Sequence, residues 1–140
     1  MTKVFVYGTL KRGYGNNQLL STAEFIGSGQ TAVSMLMLNA GFPVAMLPQT
    51  PWNNRAAPIK GEVYEVDIET LKRLDRLESE GRMYLRDPVA VRMDDGTNLY
   101  AQMYRGNFAY WQDHTEVFEP ENEMHDWRRR SAGWPEQVDS

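Results

Sequence analysis

Helical periodicity is strong at only one place in this chain, and that limits the folds open to it. Residues 68–78 read Ile68-Glu69-Thr70-Leu71-Lys72-Arg73-Leu74-Asp75-Arg76-Leu77-Glu78, with Asp67 before them as an N-cap. Elsewhere the apolar runs are short and broken by glycine, proline or asparagine, the signature of strands and turns. Val4-Phe5-Val6 is the first strand. Residues 24–47 divide into two or three antiparallel strands, with 31–38 as the longest run, and a turn at Gly41-Phe42-Pro43 leads into the last of them. Residues 59–66 form another strand. Residues 83–93 follow, with Pro88 marking an edge or a bulge, and Asp94-Asp95-Gly96-Thr97 closes a hairpin onto residues 98–104. A short helix with Asn16 as its cap is expected after the first strand. Strands outnumber helices about three to one, which favours an α+β fold over alternating parallel βα units. The expected architecture is a small mixed or antiparallel β-barrel flanked by a few helices.

The 140 residues suit one domain, large enough to bury roughly 68–70 % of its unfolded surface. Residues 1–106 are expected to form the barrel, and residues 107–140, where the pattern fades around Trp111, Trp127 and Trp134, an extension wrapping it with a loose end. Residues 48–58, rich in proline around Trp52, read as a surface loop whose tryptophan is a local anchor or a lid. The absence of cysteine excludes disulfides, a thiol nucleophile and thiolate metal sites, and agrees with a reducing cytoplasm. The opening MTKVFVYG is too short in apolar residues for a signal peptide or a membrane span, so a soluble cytoplasmic protein without a membrane partner is expected. A net charge of -4 argues against nucleic acid as a partner, and Arg128-Arg129-Arg130 reads as a solvated face. His114 and His125 lie among acids without zinc spacing and read as a solvated tail, so no metal is expected. No G-x-S-x-G elbow, H-E-x-x-H or phosphate loop occurs.

Two stretches carry chemistry. In Val4-Phe5-Val6-Tyr7-Gly8-Thr9-Leu10-Lys11-Arg12-Gly13 a buried strand delivers a glycine-punctuated loop. Such a loop is either a plain turn or a nest of backbone N–H groups suited to a small anion such as a carboxylate. The second stretch is the helix. With Ile68 at zero, Leu71, Leu74 and Leu77 fall near about 300°, 240° and 180°, and Glu78 near about 280°, on the leucine side. Either the helix unwinds toward solvent there, or Glu78 pairs with Arg82 or Arg86, or Glu78 is a carboxyl at a cavity mouth, its pKa raised by desolvation for proton transfer near neutral pH. Asp75, at the edge of the apolar arc, reads as a boundary residue bonded to backbone rather than as a second catalytic acid.

Taken together, Tyr7-Gly8-Thr9-Leu10-Lys11-Arg12-Gly13 with the following Asn16, Asn17 and Leu19-Leu20, then Gly61-Glu62-Val63-Tyr64-Glu65-Val66-Asp67, Leu74-Asp75-Arg76-Leu77-Glu78 and Tyr84-Leu85-Arg86, resemble the gamma-glutamylcyclotransferase-like family over about residues 3–105. Its gamma-glutamylamine cyclotransferase branch is the most similar. The resemblance implies a small barrel with one cavity lined by the Tyr7-Gly8-Thr9-Leu10 loop and by Glu78 as the catalytic acid–base. Tyr84, Tyr104 and the Gly41-Phe42-Pro43 turn match pocket residues. It further implies a small γ-glutamyl substrate, 5-oxoproline as product, a transferase or lyase type of enzyme, and no cofactor. A catalytically silent binding or interaction module on the same fold is the alternative, and an enzyme acting on another small amide a third reading. The segment Ser79-Glu80-Gly81-Arg82-Met83 carries more charge than the family pattern, on the leaving-group side.

Overall fold

Val4-Phe5-Val6 offers apolar side chains to both faces of a sheet, and in the computed structural model, which describes residues 1–128, both faces are covered. The chain runs through β1 (Thr2–Val6), a 3-10 helix (Gly15–Leu20), β2 (Glu24–Thr31), β3 (Leu36–Asn39) and β4 (Pro43–Met46). It continues through a 3-10 turn (Asn53–Arg55), β5 (Lys60–Val66), α1 (Ile68–Leu77), β6 (Tyr84–Met93), β7 (Asn98–Gly106) and α2 (Phe108–Trp111). Five strands close a barrel in the order β1-β5-β2-β6-β7. The seam between β1 and β7 is parallel, with Val4 opposite Gln102 and Phe5 opposite Met103, and the other pairings are antiparallel. Closure leaves the barrel without a free edge. This is the α+β mixed barrel expected from the strand count.

Alternation along β1 divides the core. Phe5 joins Val63, Val91 and Met103 in one buried cluster, whereas Val4 and Val6 join Tyr64, Leu71, Leu74 and Tyr104 in the other. Gly61 makes room for the first cluster, because a Cβ there would stand 2.5 Å from Cζ of Phe5. The β3–β4 hairpin lies outside the barrel, in register Leu36 to Met46 and Leu38 to Val44, and its turn uses Gly41 at φ 87, a left-handed conformation that glycine adopts freely. As expected, Asp67 caps α1 by accepting from the Thr70 N–H at 2.8 Å, and Gly96, at φ 93, turns the hairpin between β6 and β7. Pro88 sits opposite Gln102 of β7, outside the stretch 91–93 that pairs with β2, so its missing N–H costs no bond to that neighbour.

Four expectations are corrected. The run 31–38 is two strands, because the chain bends between β2 and β3 where the Thr31 hydroxyl donates to the Val33 carbonyl at 2.7 Å and accepts from the Ile59 N–H at 2.9 Å. Asn16 does not cap a helix; Tyr14 holds that position, and Asn16 lies within the 3-10 helix with its amide turned to Thr9. Asp75 bonds side chains rather than backbone, accepting from Arg86 and Tyr104. His114 and His125 are not in a solvated tail. His125 is 2 % exposed, its Nε2 lies 2.8 Å from the Arg55 carbonyl, and His114 Nε2 lies 2.7 Å from that of Asn39.

Residues 107–128 therefore pack on the β3–β4 hairpin and on the barrel. Phe118 donates from its N–H to the Met37 carbonyl at 2.8 Å, and Lys60 to that of His125 at 2.8 Å. Trp111 and Trp127 are buried, and Arg128 reaches Asp126 at 3.3 Å. Arg129, Arg130 and Trp134 lie outside the described residues. Trp52 packs half-buried against the cluster of Val4, with the Arg55 guanidinium 5.2 Å from its ring centre, and acts as an anchor. Among the described residues no helix is long and apolar enough to cross a membrane.

Candidate active site

β1 and β7 run parallel, so the end of β1, the end of β7 and the start of β6 meet at one end of the barrel. The β3–β4 turn and the C-terminus of α1 complete a cavity of about 280 Å³ there. Tyr7, Gly8, Thr9 and Leu10 border it after β1, and Gly41, Phe42 and Pro43 border it from the hairpin. Glu78, Tyr84 and Tyr104 reach it as well. All ten residues singled out from the sequence thus share one space. Asn16, Leu77 and Met83 also line it and were not singled out as site residues.

The loop's carbonyls are occupied. Gly8 accepts from the Lys11 N–H at 3.0 Å, Thr9 from the Asn16 N–H at 3.1 Å, and Leu10 from the Asn17 side-chain amide at 2.8 Å. The Asn16 amide also holds the Thr9 hydroxyl at 2.8 Å. Among the described residues, the N–H groups of Gly8, Thr9 and Leu10 donate to no protein acceptor. Three successive unspent donors beside a cavity suit an anion. Gly8 also sets the width of the site: a Cβ there would stand 2.9 Å from Cγ of Pro43 across the cavity.

Glu78 is the C-cap of α1, its N–H bonded to the Leu74 carbonyl at 2.9 Å. The next residues close a Schellman motif: the Ser79 N–H donates to the Arg76 carbonyl at 3.2 Å and the Glu80 N–H to that of Asp75 at 2.9 Å. Ser79 takes the left-handed position, at φ 51. The chain thus turns away immediately after Glu78, and the carboxyl is left facing the cavity without an ion-pair partner among the described residues. Arg86, a partner considered from sequence, is taken by Asp75 at 2.9 Å. Burial, with no compensating cation, raises the Glu78 pKa to about 7. A left-handed conformation costs a serine about 1 kcal/mol, partly offset against glycine by chain entropy. Ser79→Gly should therefore stabilise the protein by about 0.5 kcal/mol while leaving turnover unchanged, readable as a small rise in melting temperature beside a steady-state assay.

The three tyrosines differ in what they can offer a ligand. Tyr7 donates to the Tyr104 carbonyl at 2.7 Å and accepts from the Ala45 N–H at 3.0 Å, so its hydroxyl is committed. Tyr104 donates to Asp75 Oδ1 at 2.5 Å. Tyr84 has only a 3.5 Å contact to the Pro43 carbonyl and can turn to another acceptor. Burial raises the pKa of all three, so they stay protonated at neutral pH.

Lys11 was not singled out either. It is 9 % exposed, with its ammonium 2.8 Å from the Trp127 carbonyl and 3.7 Å from Asp126. Burial lowers its pKa against the pull of Asp126. It ties the site loop to the C-terminal segment, a contact across more than a hundred residues that local pattern cannot reveal.

A cavity at one end of a barrel, bordered by a donor-rich loop and a half-buried carboxyl without an ion-pair partner among the described residues, is the arrangement of a small-molecule site. Residues 4–129 match the family described as gamma-glutamyl cyclotransferase, AIG2-like. The chain is 39 % identical over 105 residues to the "Putative gamma-glutamylcyclotransferase" of Methanocaldococcus jannaschii, covering 74 % of this chain and 83 % of that one. It is 36 % identical over 99 residues to the gamma-glutamylaminecyclotransferase of Rattus norvegicus, covering 66 % of this chain and 65 % of that one. The crystal structure of an AIG2-like protein from Mus musculus superposes with a TM-score of 0.66 at 28 % identity, over 94 % of this chain and 98 % of that one. The chain belongs to the gamma-glutamyl cyclotransferase, AIG2-like family and is an enzyme of the cyclotransferase kind. The match extends past Asn107, beyond the stretch over which the sequence motifs were read.

Proposed function

We propose that this enzyme closes a γ-glutamyl amide to 5-oxoproline and releases the amine, with Glu78 as general base and then general acid. The observation that carries the reading is the pairing, in one cavity, of a carboxyl raised to about 7 by burial with three unspent N–H donors at Gly8, Thr9 and Leu10. The substrate α-carboxylate takes the loop donors, which leaves the α-ammonium beside Glu78. The Glu78 carboxylate removes one proton, and the freed amine attacks the γ-carbonyl carbon, forming the ring C–N bond. Glu78 then protonates the departing nitrogen as its bond to that carbon breaks. The ring nitrogen sheds a second proton to the released amine, which leaves as an ammonium ion. Attack within one bound molecule needs chiefly a folded conformer, so orientation supplies much of the rate. The Tyr84 hydroxyl is a side-chain donor available to the developing oxyanion. Every proton in this scheme moves through Glu78 or the substrate, without a metal or organic cofactor.

The test is incubation with a panel of γ-glutamyl amines and γ-glutamyl amino acids, assayed for 5-oxoproline. Release of 5-oxoproline from at least one class, with stoichiometric free amine, is expected. Binding of 5-oxoproline without turnover of any panel member would favour the silent binding module.

A further inference from the structure

We propose that Asp75 is a positioning residue that pins the last turn of α1 to the barrel and so holds the Glu78 carboxyl in the cavity. The inference rests on the reading of Glu78 as the proton-transferring group. Asp75 stands one turn before Glu78, and its carboxylate collects three donors from two barrel strands. Arg86 of β6 donates through Nε at 2.9 Å and Nη2 at 3.3 Å, and Tyr104 of β7 through its hydroxyl at 2.5 Å. Arg86 also reaches Gln102 of β7 at 3.4 Å. Among the described residues, Asp75 is the only α1 side chain with a polar bond to the barrel. The Asp75 carbonyl, meanwhile, accepts the Glu80 N–H that ends the helix. One residue thus fixes both where the helix end lies and where the chain turns.

The need for a pin follows from the packing. Leu71 and Leu74 bury their side chains, but Leu77, on the last turn, is 43 % exposed at the cavity and cannot clamp that turn by apolar contact. The Asp75–Arg86 pair is half-buried, where a two-pronged guanidinium–carboxylate contact gives direction as well as attraction. Tyr104 closes the loop of contacts: its ring borders the cavity, its hydroxyl holds Asp75, and its carbonyl accepts the Tyr7 hydroxyl. Several charged and titratable groups neighbour Glu78. Tyr7, Tyr84 and Tyr104 face it from the end of β1, from β6 and from β7, and Asp75, Glu80, Arg76 and Arg82 flank it on its own segment. Arg86 of β6 is occupied by Asp75.

Two variants test the pin. Asp75→Asn breaks the two-pronged contact, and Tyr104→Phe removes one hydroxyl while keeping the ring in the cavity wall. Each should lower kcat tenfold or more with KM within about threefold, and the double variant should lose little beyond the worse single one, because both cut the same tie. The second readout is the titration of the Glu78 carboxyl by NMR in the resting protein, which needs no turnover. Burial sets the raised pKa, so a released helix end should let water in and move the midpoint from about 7 toward the ordinary 4.5. A purely stabilising role would lower the melting temperature and leave that midpoint in place, and this outcome, or a wild-type kcat in both variants, would overturn the proposal. Glu78→Gln, run alongside, separates the two ideas: wild-type activity there removes the base itself, whereas an inactive Glu78→Gln with unaltered Asp75 variants removes only the pin.

Discussion

Glu78→Gln is expected to keep the barrel and to lower turnover about 10²–10⁴-fold, the usual size of a lost general acid–base. The amide matches the carboxyl in shape and accepts a hydrogen bond, but it cannot take the proton from the substrate ammonium. The loop donors at Gly8, Thr9 and Leu10 are untouched, so binding of 5-oxoproline should survive. Turnover within a few-fold of the parent would remove Glu78 from the chemistry. The same variant should reveal the energetic cost of placing the carboxyl there. Glu78 titrates near 7 when folded and near the ordinary 4.5 when unfolded, so the unfolded state ionises first as pH rises. The folded protein therefore loses stability between about pH 4.5 and 7, and the loss persists above that window. The full displacement corresponds to roughly 3 kcal/mol, and the part of the carboxyl still in water reduces it to about 1–2 kcal/mol. Glu78→Gln should thus melt higher than the parent at pH 8 and at the same temperature near pH 4. A variant that is less active yet more stable, by a margin that grows from about pH 4.5 and levels off above about 7, would tie the lost function to a carboxyl withdrawn from water.

Much of this was legible because each local signal agreed with the fold. Asp67 before an apolar period makes an N-cap wherever a helix follows, and Asp95-Gly96 between alternating strands makes a hairpin in most contexts. Glu78 was visible as a conflict, an acid on the leucine side of a helix, and it does reach the cavity. What local pattern misread depends on long-range partners. The run 31–38 looks continuous because Ala32 and Val33 extend its apolar pattern, yet residues 32–34 are exposed at the bend between β2 and β3. Leu77 has the spacing of a core leucine but lies at the cavity, where nothing covers it fully. Asp75, His125 and Lys11 look like solvent-facing polar residues, and each finds its partner far along the chain. Ser79 sits where a Schellman motif usually has glycine, so the helix stop carries no sequence mark.

Gly8→Val should weaken productive binding sharply while leaving the barrel folded. The constraint is one of width rather than of backbone angle: a Cβ at position 8 would stand 2.9 Å from Cγ of Pro43, closer than real side chains approach, and a tight 3.3 Å from its Cδ. Pro43 is the first residue of β4, held in register opposite Asn39, and it cannot retreat as a flexible side chain would. The two walls must separate or the loop must turn, and either movement takes the N–H groups of Gly8, Thr9 and Leu10 away from a common point. Valine then adds two methyl groups, which fill space that the ligand would occupy. We expect affinity for 5-oxoproline to fall at least tenfold and kcat/KM about a hundredfold, with far-UV circular dichroism preserved. Gly8→Ala brings the same Cβ and the same 2.9 Å approach to Pro43 but not the two further methyl groups, so its affinity should fall between. The order glycine, alanine, valine in 5-oxoproline affinity is therefore the measurement that matters. Equal affinity across the three would mean that the ligand does not lie between the loop and the hairpin turn, and the carboxylate would have to be held elsewhere in the cavity.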